Sequence, residues 1–455
     1  MKVPWWSYLV DRPAWRHYCG QLLTRYEDFT SQSETLTNGF VASRMIPPIH
    51  RDTASDLELI QVHTMVRHGA RAPQHQYDGA ARKPIVWECA LEPTSAEAAG
   101  HLTGNCIEGQ LLVEGQVQGS ILGQILAKAY FSEDNVLHDP TKAFDTQSDP
   151  GHNFSKVALF RSTHRSRAIM TGTAVMGPIL KSFVNPKRRS ILPTIRKASR
   201  EDMWINRALC PAVSEALREH YTSVEMLAMV QSTTSVRQTV EKIMQPEAAG
   251  GHYWPSGFVD DLQTRLCARK IESVPPQLQP GRLRAARLLD RALLAGKAQS
   301  QHLFHWRAGR ISKIAMAHFL SDLKAAVLGA VLASGTESAF WTCRQGAYPV
   351  GKPPRFFLYS GHDTTIMPLL AALGVWSPAE WPPYASMATL EFLKSGERFL
   401  FRIIYNGAVV TRRFKGCDGD LCALETFFME TDHFATPTQF KLICEGQDVV
   451  NSVLW

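Results

Sequence analysis

Residues 57–73 read LELIQVHTMVRHGARAP. The first part of this stretch is a nearly continuous apolar run that ends at Arg67, which is typical of a strand buried on both faces of a parallel sheet. The motif Arg67-His68-Gly69 therefore stands at the carboxyl end of the predicted strand, where open α/β sheets bind their ligands. This stretch predicts both the class of fold and the position of a site.

Two later segments repeat the arrangement of a short apolar run followed by polar residues. Residues 157–160 precede Arg161, and residues 356–359 precede Ser360-Gly361-His362-Asp363. Because the carboxyl ends of parallel strands meet at one edge of a sheet, we expect these polar groups to converge with the first motif.

The spacing of apolar residues predicts the surrounding architecture. Helical spacing recurs in residues 111–130 and 311–332, and residues 388–405 form a predicted hairpin. We therefore expect an α/β three-layer sandwich whose mainly parallel central sheet is flanked by helices, together with a mostly helical inserted cap. The predicted organisation is an N-terminal arm (1–55), an α/β catalytic domain (56–184 and 311–455) and a mainly helical insertion (185–310).

The first motif has the composition of an anion site. Arg67 and Arg71 bracket His68, and a guanidinium matches the oxygens of phosphate in a bidentate manner. Positive neighbours disfavour the protonated imidazole, which leaves a nucleophile at acidic pH. The alternative is a strand-end loop whose charges face solvent, since so short a motif arises often by chance.

The two later segments supply a third guanidinium and a carboxyl group. Arg161 follows the second predicted strand, and Arg167, a little further on, is expected to buttress the site rather than to bind. Asp363 can protonate a leaving alkoxide and then activate water, and His362 can bind the transferring group. The alternative for Asp363 is the N-cap of the following helix.

The three motifs RHGARAP, FRSTHRSR and SGHDTT, in this order, resemble the histidine acid phosphatase family of the phosphoglycerate-mutase-like superfamily. The resemblance covers about residues 57–444. It implies a nucleophile, a proton donor and four phosphate contacts, with no metal or cofactor. By position these are His68 as nucleophile, Asp363 as proton donor, and Arg67, Arg71, Arg161 and His362 as phosphate contacts. Within the family, several segments resemble the 2-phosphoxylose phosphatase-like members.

The nine cysteines indicate the compartment. Two pairs, Cys89 with Cys106 and Cys417 with Cys422, flank polar loops, which suits local disulfides, although cysteine pairs also bind metals. The family resemblance further implies a Cys210–Cys444 bridge. It leaves Cys267 without its expected partner, because Met387 stands where the family has a cysteine.

Disulfides favour the secretory pathway, in the Golgi lumen or outside the cell, and Asn153 begins a glycosylation triplet. The aromatic N-terminus lacks the apolar stretch of a signal peptide, so either a cytoplasmic location or a start further upstream is the alternative. The sequence shows no apolar run approaching the roughly 20 residues of a membrane span.

A formal charge of +7 favours anionic partners, and no nucleic-acid motif accompanies it. The expected activity is phosphomonoester hydrolysis through a phosphohistidine on His68, with a phosphorylated small molecule, sugar or glycan as substrate. The alternatives are phytase-like or mutase-like phosphoryl transfer and non-catalytic binding of an oxyanion or glycan.

Overall fold

Strand β1 (Leu57–Arg67) runs through the interior of the protein, and all of its residues from Leu59 onward are buried. The computed structural model describes residue 19 and residues 45–47, 57–77, 85–90, 102–131, 158–181, 192–244, 256–279, 283–336, 338–344, 353–377 and 381–445. Most of the predicted N-terminal arm and the Asn153 triplet lie outside these residues.

Around β1 the described residues form an eight-stranded sheet. Its other strands are β2 (Ala158–Ser162), β3 (Thr194–Ile195), β4 (Phe356–Gly361), β5 (Met387–Ser395), β6 (Arg398–Tyr405), β7 (Ala408–Val409) and β8 (Cys422–Ala423). The strand order is β3-β2-β4-β1-β5-β6-β7, and β8 pairs with β6.

The sheet is mixed rather than mainly parallel. Strands β3, β2, β4 and β1 pair in parallel, whereas β5 to β8 join through antiparallel ladders. The predicted hairpin of β5 and β6 is confirmed. The antiparallel half arises because β5 and β6 are joined by a tight turn at Gly396, which has φ +57° and permits only antiparallel pairing.

Helices cover both faces, which confirms the three-layer α/β architecture. One face packs against α1 (Val113–Phe131) and α2 (Ser166–Lys181) through a core that includes Val62 and Val66. The opposite face, which includes Ile60 and Met65, packs against a larger group of helices. These are α3 (Ala212–Tyr221), α6 (Leu283–Ala333), α7 (Ala339–Thr342), α8 (Asp363–Ala372), α9 (Leu424–Asp432) and α10 (Pro437–Glu445).

A separate small core lies within the predicted insertion. Apolar side chains of α4 (Val224–Met244), α5 (Ser256–Cys267) and the first half of α6 pack together, and Tyr77 from the loop after β1 joins them. The region is helical as predicted, except that β3 adds a two-residue strand to the main sheet. The insertion boundaries at residues 185 and 310 remain predictions.

Helix α6 consists of two helical parts. The backbone is non-helical from Trp306 to Gly309, and Arg307, Ala308 and Gly309 have φ of 46°, 53° and 80°. Helix α6 is long and apolar enough to cross a membrane, but 72% of its most apolar 18-residue stretch is buried inside the protein. Its apolar residues therefore belong to the core.

Four disulfides link the described residues. The three expected bridges, Cys89–Cys106, Cys210–Cys444 and Cys417–Cys422, are confirmed. The expectation that Cys267 has no partner is wrong, because it pairs with Cys19. The partner comes from the N-terminal region, which has no periodicity from which its position could be predicted. Four bridges are typical of a protein that folds in an oxidising compartment.

Candidate active site

A cavity of about 370 Å³ opens at the carboxyl edge of the parallel strands. Residues that follow β1, β2 and β4 line one side, and residues of α5 and α6 line the other. His68, Arg71, His362 and Asp363 all line this cavity. The predicted convergence of the first and third motifs is therefore confirmed.

The imidazole of His68 is fixed in one tautomer. It is only 2% exposed, and its Nδ1 lies 2.9 Å from the carbonyl oxygen of Gly69. A carbonyl oxygen only accepts hydrogen bonds, so Nδ1 carries the proton and Nε2 keeps a free lone pair. Burial, followed by the positive charges of Arg167, Arg67 and Arg71, holds the pKa of His68 well below its ordinary 6.5.

The loop that carries His68 is held by a close backbone approach to α1. A Cβ at Gly69 would lie 2.2 Å from the carbonyl oxygen of Gly115, and a Cβ at Gly115 would lie 2.1 Å from that of Ala70. Side chains complete the support, since Thr171 accepts a hydrogen bond from the Gly69 N–H at 3.1 Å and Gln118 accepts one from Ala70 at 2.8 Å. Only glycine at both positions permits this contact.

Arg67 is fully buried at the end of β1. Its Nη1 donates to the carbonyl oxygen of Pro382 at 2.6 Å, its Nη2 lies 3.0 Å from Oδ2 of Asp363, and its guanidinium lies 4.4 Å from the centre of the Tyr384 ring. These contacts fix the guanidinium before any ligand binds.

Arg71 is held by the inserted region. Asp260 of α5 accepts two hydrogen bonds from it, from Nη2 at 2.5 Å and from Nη1 at 3.2 Å. The same carboxylate accepts the backbone N–H of Gln74 at 2.9 Å. A bidentate carboxylate fixes the plane of the guanidinium and joins the insertion to the catalytic loop.

Arg167, and not Arg161, lines the cavity together with Arg71, whereas Arg67 is not a lining residue and contacts the cavity through Asp363. Arg167 stands in the first turn of α2, lines the cavity, and has an Nε with no hydrogen-bond partner among the described residues. Burial and the nearby charges of Arg71 and Arg165 lower the pKa of Arg167 to about 9, so its guanidinium remains charged at acidic pH.

The expected position of Arg161 is wrong. Its Nη2 donates to Oε1 of Glu201 at 2.7 Å and to Oδ1 of Asp202, and its guanidinium lies 6.0 Å from the Phe319 ring on α6. Both carboxylates are fully buried. The physical reason is the direction in which strand residue 161 projects: its side chain enters the polar layer under α6, away from the cavity.

Arg161 supports the site indirectly. Oε1 of Glu201 also accepts the backbone N–H groups of Asp202 and Met203, so the ion pair fixes this segment. The next residue, Trp204, stacks on His362 with ring centres 5.7 Å apart. Arg161 is therefore connected to the site through the segment that positions this aromatic ring.

Three residues near this ion pair could hold a metal ion. The ligand atoms of Asp202, His318 and Asp322 lie within 4.8 Å of one another. The guanidinium of Arg196 contacts both carboxylates, however, and its charge would repel a metal ion in the same place. The cluster is better described as an ion-pair network.

His362 and Asp363 stand where β4 gives way to α8. The Nε2 of His362 lies 2.9 Å from Oγ1 of Thr163, and burial followed by the charges of Arg167, Arg67 and Arg71 holds the pKa of His362 well below 6.5. Asp363 is the first residue of α8 and His362 occupies the N-cap, so the alternative role of Asp363 as the N-cap is wrong. The carboxyl group instead faces the cavity beside the positive end of the helix.

No motif in the sequence pointed to Asp260, Gln263 and Lys297, which also line the cavity. They lie on helices of the insertion, and helical spacing alone does not indicate which face of such a helix covers a distant loop. The sequence FRSTHRSR could have directed attention to Arg167, since it places a third arginine five residues beyond the strand end at Ser162.

A buried, uncharged imidazole with a free Nε2, three guanidiniums and a facing carboxyl group together define a site for phosphoryl transfer to nitrogen. The sequence comparison agrees with this class: the chain belongs to the histidine phosphatase superfamily (branch 2), whose family model matches residues 58–249 and 311–406. The predicted family is thereby confirmed.

Two phosphatases are similar to this chain over most of its length. Lysophosphatidic acid phosphatase type 6 of Bos taurus is 24% identical over 421 residues, covering 85% of this chain and 86% of that protein. The 2-phosphoxylose phosphatase 1 of Xenopus tropicalis is also 24% identical, over 84% of this chain and 76% of that protein. The chain is thus equally identical to the lysophosphatidic acid phosphatase and to the 2-phosphoxylose phosphatase.

A solved structure supports the fold. The phytase from Citrobacter braakii superposes with a TM-score of 0.50 at 15% identity, covering 84% of this chain and 98% of that one. This similarity concerns the α/β fold alone.

Proposed function

We propose that this chain is a histidine acid phosphatase that hydrolyses phosphomonoesters through a covalent phosphohistidine on His68. The observation that carries the proposal is the tautomer of His68: its Nδ1–H donates to the Gly69 carbonyl oxygen, so Nε2 carries no proton in a residue that lines the cavity. The phosphatase names of its relatives support the same activity.

In the first step, Nε2 of His68 attacks phosphorus while the bond to the ester oxygen breaks. The carboxyl group of Asp363 donates its proton to the departing alkoxide. Arg67, Arg71 and Arg167 hold the phosphoryl oxygens as negative charge moves on them, and His362 is a further contact. Arg167 thereby takes the role expected of Arg161.

In the second step, water attacks phosphorus and the bond to Nε2 breaks. The carboxylate of Asp363 accepts the proton from this water, so both residues return to their starting states. No proton is gained or lost over the cycle.

Trapping the intermediate tests the proposal. Rapid acid-free quenching of the enzyme with labelled phosphomonoester is expected to leave base-stable, acid-labile phosphate on the peptide that contains His68. The variant His68→Ala is expected to keep its melting temperature within a few degrees and to incorporate no label. Label on any other residue, or turnover by the variant, would refute the assignment.

A substrate panel separates this activity from the two alternatives. Release of inorganic phosphate from many monoesters supports the phosphatase. Release from inositol hexakisphosphate alone would favour the phytase-like alternative, movement of phosphate without release would favour the mutase, and binding without either would favour an oxyanion-binding protein.

We further propose the finer organisation and location. Residues 56–184 and 311–455 form the catalytic domain and residues 185–310 the cap, because a separate apolar core lies within that stretch. The disulfides support the Golgi lumen or the cell exterior as the site of action. Microscopy of the tagged full-length protein with compartment markers checks the location, and a diffuse cytoplasmic signal would contradict it.

A further inference from the structure

The cavity has two walls of different origin. The residues that follow the strands form the floor, where the proposed chemistry takes place. The opposite wall, here called the roof, consists of residues of α5 between 257 and 263 and of α6 between 296 and 300. The match to the family model does not extend to residues 250–310, so the roof lies outside the matched ranges.

The roof is rigidly joined to the floor. Asp260 binds Arg71, and the fully buried pair of Asp261 and Arg265 is tied to the catalytic part, since Arg265 donates to the Tyr77 carbonyl oxygen at 3.0 Å. Within the roof, α5 and α6 touch closely, because a Cβ at Gly296 would lie 2.6 Å from Cγ2 of Val259. Groups on the roof thus keep a fixed distance from the phosphate site.

Gln263 is a buried donor that has no partner in the described part of the chain. It is 3% exposed, it lines the cavity, and its Nε2 makes no hydrogen bond there. Leaving a buried donor without an acceptor is unfavourable, so a ligand that supplies an acceptor is bound more tightly. Gln263 stands three residues after Asp260 on the same face of α5, and both residues line the cavity with Arg71.

The facing helix adds further polar groups. Lys297 and Ser300, spaced three residues apart on α6, line the same cavity. Burial lowers the pKa of Lys297 to about 8, which leaves the ammonium protonated at acidic pH. Trp381 lines the same cavity and offers an apolar ring. An amide, an ammonium and a hydroxyl beside one aromatic ring suit a ligand with many hydrogen-bond acceptors and a ring or chain of carbon.

Building on the proposed function, we infer that Gln263, together with Lys297 and Ser300, recognises hydroxyl groups on the leaving alcohol. The preferred substrate is then the phosphate monoester of a polyhydroxylated alcohol, such as a sugar or another polyol, and not of an alkyl chain. An alkyl leaving group would bury the Gln263 amide without giving it an acceptor, which lowers the affinity of the transition state.

The test compares matched substrates. We expect wild-type kcat/KM for pentose and hexose phosphates to exceed that for n-pentyl and n-hexyl phosphate by about tenfold or more. In Gln263→Leu this ratio is expected to fall by about tenfold, mainly because the sugar phosphates lose activity. Gln238→Leu, at an exposed position on α4 of the same insertion, is the control and keeps the wild-type ratio.

The outcomes separate the two proposals. A wild-type enzyme that hydrolyses neither class contradicts the proposed function itself. A wild-type enzyme that hydrolyses both classes equally well, or a Gln263→Leu variant that folds and keeps the wild-type ratio, overturns this inference while leaving the phosphatase proposal intact. If Gln263→Leu does not fold, Gln263→Glu provides the same comparison, because the carboxyl group retains the shape but loses both amide donors.

Discussion

Nη2 of Arg67 lies 3.0 Å from Oδ2 of Asp363, so the end of β1 and the start of α8 meet in one ion pair. The pair joins a proposed phosphate ligand to the proposed proton donor. Asp363 is further held by its own helix, since Oδ1 accepts the backbone N–H of Thr364 at 2.8 Å. The carboxyl group is therefore positioned before a substrate arrives.

The first prediction concerns proton donation by Asp363. For Asp363→Asn we expect kcat to fall about 10²–10⁴-fold on alkyl phosphates. The loss on p-nitrophenyl phosphate is expected to be much smaller, because p-nitrophenolate leaves without a proton. Steady-state kinetics on both substrates checks this, and equal losses on both would exclude Asp363 as the donor.

The second prediction separates the two arginines. Arg161→Met removes the guanidinium that the buried carboxylates of Glu201 and Asp202 share, so the free energy of unfolding is expected to fall by about 3–5 kcal/mol, although Asp202 keeps its contact with Arg196. Arg167→Met is expected to unfold near the wild-type denaturant concentration but to lose about 10–100-fold in kcat/KM, the effect of one charged hydrogen-bonding group. Urea titration and kinetics on both variants decide the roles, and the opposite pattern would restore Arg161 as the ligand.

The third prediction follows from the lowered pKa of His68. Its imidazole is expected to stay uncharged, with the proton on Nδ1, as the pH falls below 6.5, where an ordinary histidine becomes mostly protonated. Nitrogen NMR of the protein labelled at its histidine rings reads this state directly. A titration of the His68 ring near pH 6.5 would contradict it.

The same shift affects stability with a definite sign. Below pH 6.5 the unfolded chain binds a proton that folded His68 does not, so the free energy of unfolding falls as the pH drops from about 6.5 toward the folded pKa. Each unit of separation amounts to about 1.4 kcal/mol. In His68→Gln the free energy of unfolding is expected to fall less steeply with falling pH than in the wild type. A pH dependence from His362 and His63 is expected to remain, because their pKa values are also lowered.

The fourth prediction concerns the contact between the catalytic loop and α1. In Gly115→Ala the new Cβ would meet the Ala70 carbonyl oxygen at 2.1 Å, so we expect a loss of about 1–3 kcal/mol in unfolding free energy and a lower kcat/KM. Gly177→Ala is the matched control, because its Cβ would meet nothing within 4 Å and alanine favours a helix by roughly 0.5–1 kcal/mol. Equal changes in unfolding free energy for the two variants would show that the close approach of Gly115 to Ala70 does not affect stability.

The floor of the site could be predicted from the sequence because strand ends determine it. The apolar runs before His68 and before His362 mark buried strands, and the carboxyl ends of such strands share one edge of the sheet. No comparable rule fixed the choice between Arg161 and Arg167. Arg161 lies within β2 and Arg167 in the first turn of the following helix, and which one reaches the cavity depends on the direction of each side chain.

The roof could not be predicted for a different reason. Asp260 and Gln263 reach the site only because α5 folds back over the loop after β1, a contact between residues almost 190 positions apart. Periodicity reports which face of a helix is apolar but not which distant surface it covers. The partner of Cys267 escaped prediction in the same way, since Cys19 lies in a region without any pattern.

Two of the disulfides bear on how the protein is made. The partner of Cys19 is synthesised 248 residues after it, and the partner of Cys210 is synthesised 234 residues after it. Each of these delays corresponds to roughly 10–50 seconds of translation. During that time each thiol can react with nearer cysteines, and for Cys210 these include Cys343, which is exposed and remains outside the four bridges. Correct pairing then requires exchange among thiolates, so a host that supplies a disulfide isomerase along with an oxidant is expected to yield active enzyme where a reducing cytosol does not.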